Sequence, residues 1–188
     1  MRCMLIVCCL LCINKASHAQ TSFDAHFNAF KTILIVNNVT LTLDKPSLIS
    51  KIKKTKIIIY ALPNGNTTAQ TFGKKLATGD DWHFDIQHIG AQTQFIRKAD
   101  TLSNYIVIYA ENNLKSWPAW RKKYANSDEQ IGVIISILYD RYKNLNPEII
   151  LSGHSGGGSL IFGYINAQTQ IPAYINRIGF LDATYGYE

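Results

Sequence analysis

Apolar residues follow two patterns along the chain, which together predict alternating strands and helices. Two stretches have apolar residues at helical spacing and predict helices over about residues 128–142 and 157–168. Thr67 is a suitable N-cap for a third helix, predicted to extend to about residue 77. Four continuous apolar runs are typical of strands that are buried on both faces. They lie at residues 56–61, 105–110, 148–152 and 177–181.

The alternation of such strands with helices indicates a parallel sheet with helices on both faces. Before it, two β-branched and apolar runs at residues 32–36 and 39–43 are separated by Asn37 and Asn38, which favours an antiparallel hairpin at one edge. The predicted fold class is therefore α/β, a three-layer sandwich with a mostly parallel central sheet and an N-terminal antiparallel hairpin. In such sheets ligands bind beyond the carboxyl ends of the strands, so functional residues are expected directly after them.

The first residues have the composition of a secretory signal peptide. Arg2 supplies one positive charge before about eleven apolar residues, and the small residues Ser17 and Ala19 stand at the −3 and −1 positions of a cleavage site. We expect residues 1–19 to be the signal peptide and residues 20–188 to form one domain, exported to the periplasm or the extracellular space. The alternative is a membrane anchor, but the apolar run is shorter than the roughly 20 residues that span a bilayer.

Composition and charge exclude several classes of function. All cysteines lie in the predicted signal peptide, so the mature chain would contain no disulfide, thiolate zinc site or cysteine nucleophile, and the alternative is a lipid on Cys12. Loss of Arg2 and Lys15 lowers the 19 basic residues to 17, against 13 acidic ones, a formal charge of +4. The basic residues are scattered and belong to no recognised module, so no nucleic-acid partner is expected. No membrane span is predicted, and the sequence leaves the oligomeric state open.

A glycine-rich motif follows the third parallel strand. Residues 153–158 read Gly-His-Ser-Gly-Gly-Gly and contain the pattern Gly-x-Ser-x-Gly, with a predicted strand before it and a predicted helix after it. Such a turn, which we call the elbow, holds the serine in a strained conformation. Side chains at 153 and 157 would then collide with the neighbouring strand and helix. The rival interpretation, a phosphate-binding loop, lacks the lysine that a Walker motif requires.

In this motif and its context the chain resembles the α/β-hydrolase fold, from the hairpin to Asp182. The resemblance implies that Ser155 is a nucleophile and that the backbone N–H of Gly156 is one donor of an oxyanion hole. The second donor would come from the loop after the first parallel strand. That loop contains Asn64 and Gly65, which we nominate jointly.

The acid and the base of a triad are harder to assign. Asp182 follows the fourth parallel strand and is the candidate acid, with a turn cap as the alternative. In the resembled family the histidine follows the acid, but His18, His26, His83, His88 and His154 all precede Asp182. We expect the chain to lack the C-terminal strands of a longer protein, which supplies the histidine further downstream. The alternative is that His83 or His88 reaches Ser155.

The other candidate substrate contacts lie near the same edge of the sheet. The connection 79–103 is predicted to be a loop, and the acids and histidines at 79–88 suggest a metal site, a polar lid that contacts substrate, or a surface loop. His83, His88 and the elbow residue His154 are therefore candidate substrate contacts. Trp117 and Trp120 are candidates for the wall of a pocket, although aromatic residues more often pack in a core.

The sequence thus favours an exported serine hydrolase that acts on an ester or other acyl substrate through an acyl-enzyme at Ser155. The substrate is expected to be a small molecule with an ester, a glycan-linked acyl group or a peptide bond. No organic cofactor and no metal are expected, and the chain as given is expected to have weak activity or none. The alternative is a non-catalytic binding or scaffold protein that retains a relic of the elbow.

Overall fold

A computed structural model describes residues 25–34, 36–80 and 87–183 of the chain. The chain divides into two compact units, Met1–Phe30 and Lys31–Glu188. In the first, residues 25–28 form one helical turn in which the ring of His26 packs edge-on against that of Phe30. The predicted signal peptide lies outside the described residues. The second unit contains the fold described below.

Six strands form one mixed sheet in the order β1-β2-β4-β3-β5-β6. β1 and β2 pair with each other antiparallel, β2 is antiparallel to β4, and β3 to β6 are parallel to one another. The predicted α/β class, with a mostly parallel sheet and an antiparallel hairpin at one edge, is confirmed. The strands are β1 (Lys31–Leu34), β2 (Val39–Asp44), β3 (Lys54–Ala61), β4 (Ser103–Asn112), β5 (Glu148–His154) and β6 (Ile175–Leu181).

Helices lie on both faces of the sheet. One face packs on the helices α3, α4 and α5 through a core of aliphatic residues that includes Ile57, Ile106 and Ile149. The other face is covered by α2, and a groove of about 450 Å³ runs between α2 and β6. No described helix is long and apolar enough to cross a membrane. The helices are α1 (Thr68–Phe72), α2 (Ile89–Ala99), α3 (Trp117–Lys123), α4 (Ser127–Tyr142) and α5 (Gly158–Asn166).

Three predictions about helices need correction. The helix capped by Thr67 ends at Phe72 and not near residue 77, because Gly73 follows it with a φ of +123°. The predicted loop 79–103 contains α2, whose buried residues are Ile89, Gly90 and Thr93, only one of them with a large apolar side chain. The short α3 was not predicted, although Ser116 caps it through its side chain and a proline lies in its first turn.

α2 is fixed to the sheet by a buried ion pair. Arg97, in its last turn, donates to Asp44 Oδ1 at 2.8 Å and to the carbonyl oxygens of Asp44 and Tyr105 at 2.9 and 2.8 Å. Asp44 is fully buried, so its charge is compensated by this guanidinium. Because the last turn is held at one end of the sheet, the first turn of α2 is held near the carboxyl ends of the strands.

Close helix packing supports the turn at the start of α5. Arg121 of α3 forms two hydrogen bonds with Asp128 of α4, at 2.8 and 3.1 Å, and donates to Ser159 Oγ of α5 at 3.2 Å. Gly163 of α5 faces this cluster without a side chain. A Cβ there would stand 2.7 Å from Ile131 Cδ1 and 2.9 Å from Asp128 Oδ1.

Gly163→Ala is expected to lower the free energy of unfolding by about 1–3 kcal/mol, because the added methyl group overpacks this contact. Gly132→Ala in α4 is the matched control, since its Cβ would meet neighbours only at 3.4 Å or more. Alanine favours that helix by up to about 1 kcal/mol. Chemical denaturation measures both, and equal destabilisation of the two variants would contradict the packing.

Candidate active site

The turn from β5 into α5 holds Ser155 in the left-handed region, with a φ of +52°. The 3₁₀ turn Ser155–Gly157 leads directly into α5. A Cβ at Gly153 would stand 2.7 Å from the carbonyl oxygen of Gly157, and one at Gly157 would stand 2.9 Å from the carbonyl carbon of Ala61. The predicted steric reason for both glycines is therefore confirmed. Ser155 itself is half-buried, at the carboxyl edge of the sheet.

Two amide groups lie together beside the serine. The N–H of Gly156 belongs to the first turn of the helix, where backbone donors have no acceptor within the helix. The side-chain amide of Asn64 occupies the space next to Gly156, where an added Cβ would meet Asn64 Oδ1 first and would lie 2.7 Å from Asn64 Nδ2. The N-terminus of α5 also favours negative charge at this point. An oxyanion hole requires two donors, and Gly156 and Asn64 are the candidates for them.

The nomination of Gly65 as a donor is corrected by its hydrogen bond. Its N–H donates to the carbonyl oxygen of Lys115 at 2.8 Å and so does not face an oxyanion. A glycine is needed there because its φ is +82°, a conformation that side chains disfavour. Asn64 is then the remaining candidate for the second donor. The sequence left the choice open because the two residues are adjacent in one loop.

The loop that carries Asn64 is held by the end of β4. The N–H of Leu62 donates to the carbonyl oxygen of Ala110 at 3.2 Å. Glu111 Oε2 accepts from both the N–H and the hydroxyl of Thr68, at 2.8 and 2.7 Å, at the N-terminus of α1. Glu111 was missed in the sequence, although an acid directly after an apolar strand was a usable signal. Its two hydrogen bonds fix Thr68, and so hold the end of the loop that carries Asn64.

A buried hydrogen-bond chain holds the elbow residue His154. The hydroxyl of Tyr60 donates to Gln87 Oε1 at 3.3 Å, and Gln87 Nε2 lies 2.6 Å from His154 Nδ1. Because an amide nitrogen can only donate, Nδ1 accepts and the ring proton is assigned to Nε2. Burial raises the pKa of Tyr60, so its hydroxyl remains a donor. Burial also lowers the pKa of His154, an effect that the charge of Asp182 partly opposes.

Asp182 follows β6 directly and lies next to the elbow. β6 pairs with β5 so that Leu181 is opposite His154, and Asp182 comes next with a φ of +47°. Its side chain is exposed, and its charge acts on His154. The structure therefore brings the candidate acid to the same edge as Ser155, while its role as a triad acid stays a prediction.

The other two candidate histidines are His83 and His88, of which the structure describes only His88. His88 is exposed at the N-terminus of α2, with its Nδ1 3.2 Å from the position of a Cβ on Gly73. His83 lies outside the described residues. Within the described ranges, no group of three or more His, Cys, Asp or Glu side chains is arranged to hold a metal ion.

The two tryptophans belong to the core and do not line a substrate pocket. Trp117 and Trp120 are 1% and 0% exposed, with ring centroids 5.5 Å apart in an edge-on arrangement. Trp120 Nε1 donates to the carbonyl oxygen of Asn37 at 3.0 Å. Their prediction as pocket walls is therefore wrong, because α3 turns its aromatic residues toward the sheet.

Neither a protein-family profile nor a curated protein matches the chain. Among solved structures it is similar to Francisella virulence factor BioJ, with 15% sequence identity and a TM-score of 0.36. The match covers 79% of this chain and 44% of that one, so the chain spans less than half the length of that protein. A likeness at this level bears on neither activity nor site residues.

The partial burial of His154 predicts a specific pH dependence of stability. The folded protein disfavours the charged ring, so below about pH 6.5 the unfolded chain takes up a proton that the folded chain resists. Stability should therefore fall as the pH is lowered from about 7.5 to about 5.5. The decrease should be smaller in His154→Gln, which cannot titrate, as measured by chemical denaturation at both pH values.

A second variant, Asp182→Asn, tests the effect of the neighbouring charge on the pKa of His154. Removal of the charge that raises the pKa of His154 should make the decrease larger than in the wild type. If His154→Gln loses as much stability over this range as the wild type, the described environment of the ring is wrong.

Proposed function

We propose that this protein is an exported serine hydrolase of the α/β-hydrolase fold, which acts on an acyl substrate through Ser155. The observation that carries the proposal is the geometry of one turn. Ser155 has a positive φ between two glycines that leave no room for side chains, and the Gly156 N–H and the Asn64 amide lie together beside it. The loop after β3 and the turn after β5 are the two places from which this fold provides its oxyanion donors.

The proposed reaction has two similar halves. Ser155 Oγ attacks the acyl carbon and gives its proton to a base, while the carbonyl electron pair moves to the oxygen, which accepts from Gly156 and Asn64. Collapse of this intermediate expels the alcohol or amine, which takes up the proton, and leaves an ester on Ser155. Water then attacks that ester in the same way and releases the acid and the free serine.

The proposed acid is Asp182 and the proposed base is a histidine that follows it in the parent chain. This order is the one that the α/β-hydrolase triad uses. Of the described histidines, His154 bonds to Gln87 through Nδ1, and His88 has its Nδ1 3.2 Å from the position of a Cβ on Gly73. The proposed substrate is a small ester, a glycan-linked acyl group or a peptide outside the cytoplasm.

The order of the residues favours one alternative, a binding or scaffold protein with a relic elbow, because all five histidines precede Asp182. If no histidine serves Ser155, the hydroxyl is a weak nucleophile and the donors would only bind an acyl or carboxylate group. The two functions differ in one property, which is whether Ser155 forms a covalent bond with an acylating reagent.

A fluorophosphonate probe should label the chain extended to its natural end, and Ser155→Ala should abolish the label. Ser152→Ala is the matched control, because Ser152 lies on the same strand but before the elbow. Intact-protein mass spectrometry measures the adduct. Labelling that persists in Ser155→Ala would contradict the proposal, and absence of label from the extended chain would favour the binding protein.

A second measurement does not depend on the base. In Ser155→Cys the thiol stands at a helix N-terminus beside two donors, which should lower its pKa and speed alkylation by iodoacetamide at neutral pH by about tenfold or more over Ser152→Cys. Peptide mapping assigns the adduct and excludes the native cysteines. Equal rates for the two variants would mean that the turn does not stabilise negative charge.

A further inference from the structure

Three large aliphatic side chains are exposed to solvent at the edge of the sheet opposite Ser155, where the parallel strands begin. Leu48, Ile52 and Leu102 are 80%, 96% and 79% exposed. Leu48 and Ile52 lie in the β2–β3 loop, and Leu102 precedes β4. Single exposed aliphatics are common, but such exposure of three at one edge marks an interaction surface.

The backbone presents these side chains in a fixed position. Asn104, which is 5% exposed, accepts from the N–H of Ser50 at 3.1 Å and donates to its carbonyl oxygen at 2.8 Å. The loop is thereby tied to the start of β4. In the parallel pairing of β3 with β4, Lys54 is opposite Ser103, so Leu102 and Lys53 are neighbours at the same edge.

The charge around the three side chains is mainly positive, although Glu148 lies at the same edge, opposite Lys56. The loop contributes lysines and no acid, since no Asp or Glu occurs between Asp44 and Asp80. Asp44 is buried against Arg97, and Asp100 is bound to Lys56 at 3.3 Å. We call this surface the basic edge. It consists of Leu48, Ile52 and Leu102 with the exposed lysines Lys45, Lys51, Lys53 and Lys54.

We infer that the basic edge docks on an anionic lipid surface. Aliphatic side chains surrounded by lysines match a bilayer interface, where the former enter the acyl boundary and the latter meet the phosphate groups. A second copy of the chain would bring two positive edges together, which repel. A nucleic acid would engage the lysines but leave the aliphatic side chains without a partner, because base recognition relies on stacking and hydrogen bonds.

Docking in this way would direct the candidate site away from the lipid. The strand β3 runs from Lys54 at the basic edge to Ala61 beside the elbow, a rise of about 23 Å. Substrate would then reach Ser155 from the aqueous side. The inference itself depends only on the basic edge and not on the proposed hydrolase activity.

Vesicle co-sedimentation of the full chain tests the docking. Binding should be strong to phosphatidylcholine vesicles that contain phosphatidylglycerol, weak to pure phosphatidylcholine, and reduced in ~0.5 M salt. Leu48→Ser/Ile52→Ser should lower the partition coefficient at least about tenfold, and each Lys→Glu change at 51 or 53 by about fivefold or more. Val133→Ser/Ile137→Ser, at exposed aliphatics of α4, is the matched control and should bind as the wild type does.

A depth measurement separates the basic edge from the N-terminal apolar segment, which all variants share. The fluorescence of Ile52→Trp should be quenched by brominated lipid chains in anionic vesicles, while that of Val133→Trp should show no added quenching. Equal partition of the wild type and Leu48→Ser/Ile52→Ser would overturn the inference. Equal binding to neutral and anionic vesicles, or no binding to either, would also overturn it. The same holds if the variants change only self-association, or only the binding of an acidic protein, and leave vesicle binding unchanged.

Discussion

The close approach of the β5–α5 turn to the end of β3 is the contact on which the candidate site depends. Gly157 lies against the carbonyl group of Ala61, with no room for a Cβ between them. Because Asn64 follows Ala61 by only three residues, this contact also brings its amide next to Gly156. A side chain at position 157 would push the turn outward and separate the two donors. One steric constraint thus holds the serine turn close to β3 and brings the two candidate donors together.

The rest of the fold stabilises this strained turn from behind. Left-handed backbone at a residue other than glycine costs about 1–2 kcal/mol, which other contacts must offset. Arg121 links α3, α4 and the first turn of α5 through Asp128 and Ser159. On the other face, Gln87 joins the elbow to Tyr60 of β3. These contacts hold the turn on both sides of the sheet, so that the strain is retained in the folded state.

The sequence predicted those features that repeat along the chain or have a steric cause. The parallel strands, the edge hairpin and α4 follow from apolar periodicity, and the two elbow glycines follow from the geometry of the turn. Most features that the sequence did not predict depend on contacts between residues that are distant along the chain. Nothing local distinguishes Gly65 from Asn64 as a donor until Lys115 is seen to accept from Gly65. Trp117 and Trp120 were candidates for a pocket wall as well as for the core, because the sequence shows their position after a strand but not the side of α3 that faces the sheet. The helix α2 is an exception with a local cause, since only Ile89 among its buried residues Ile89, Gly90 and Thr93 has a large apolar side chain.

The strain at Ser155 is the central claim, and the stabilities of Ser155→Gly and Ser155→Ala test it most directly. Both variants remove the hydroxyl, so the difference between them reports the strain of a Cβ in this conformation, opposed by the greater freedom of glycine in the unfolded chain. If the φ of +52° is right, Ser155→Gly should have a free energy of unfolding about 1 kcal/mol higher than that of Ser155→Ala, because glycine adopts this conformation without strain. Chemical denaturation that shows Ser155→Ala to be as stable as Ser155→Gly, or more so, would contradict the account.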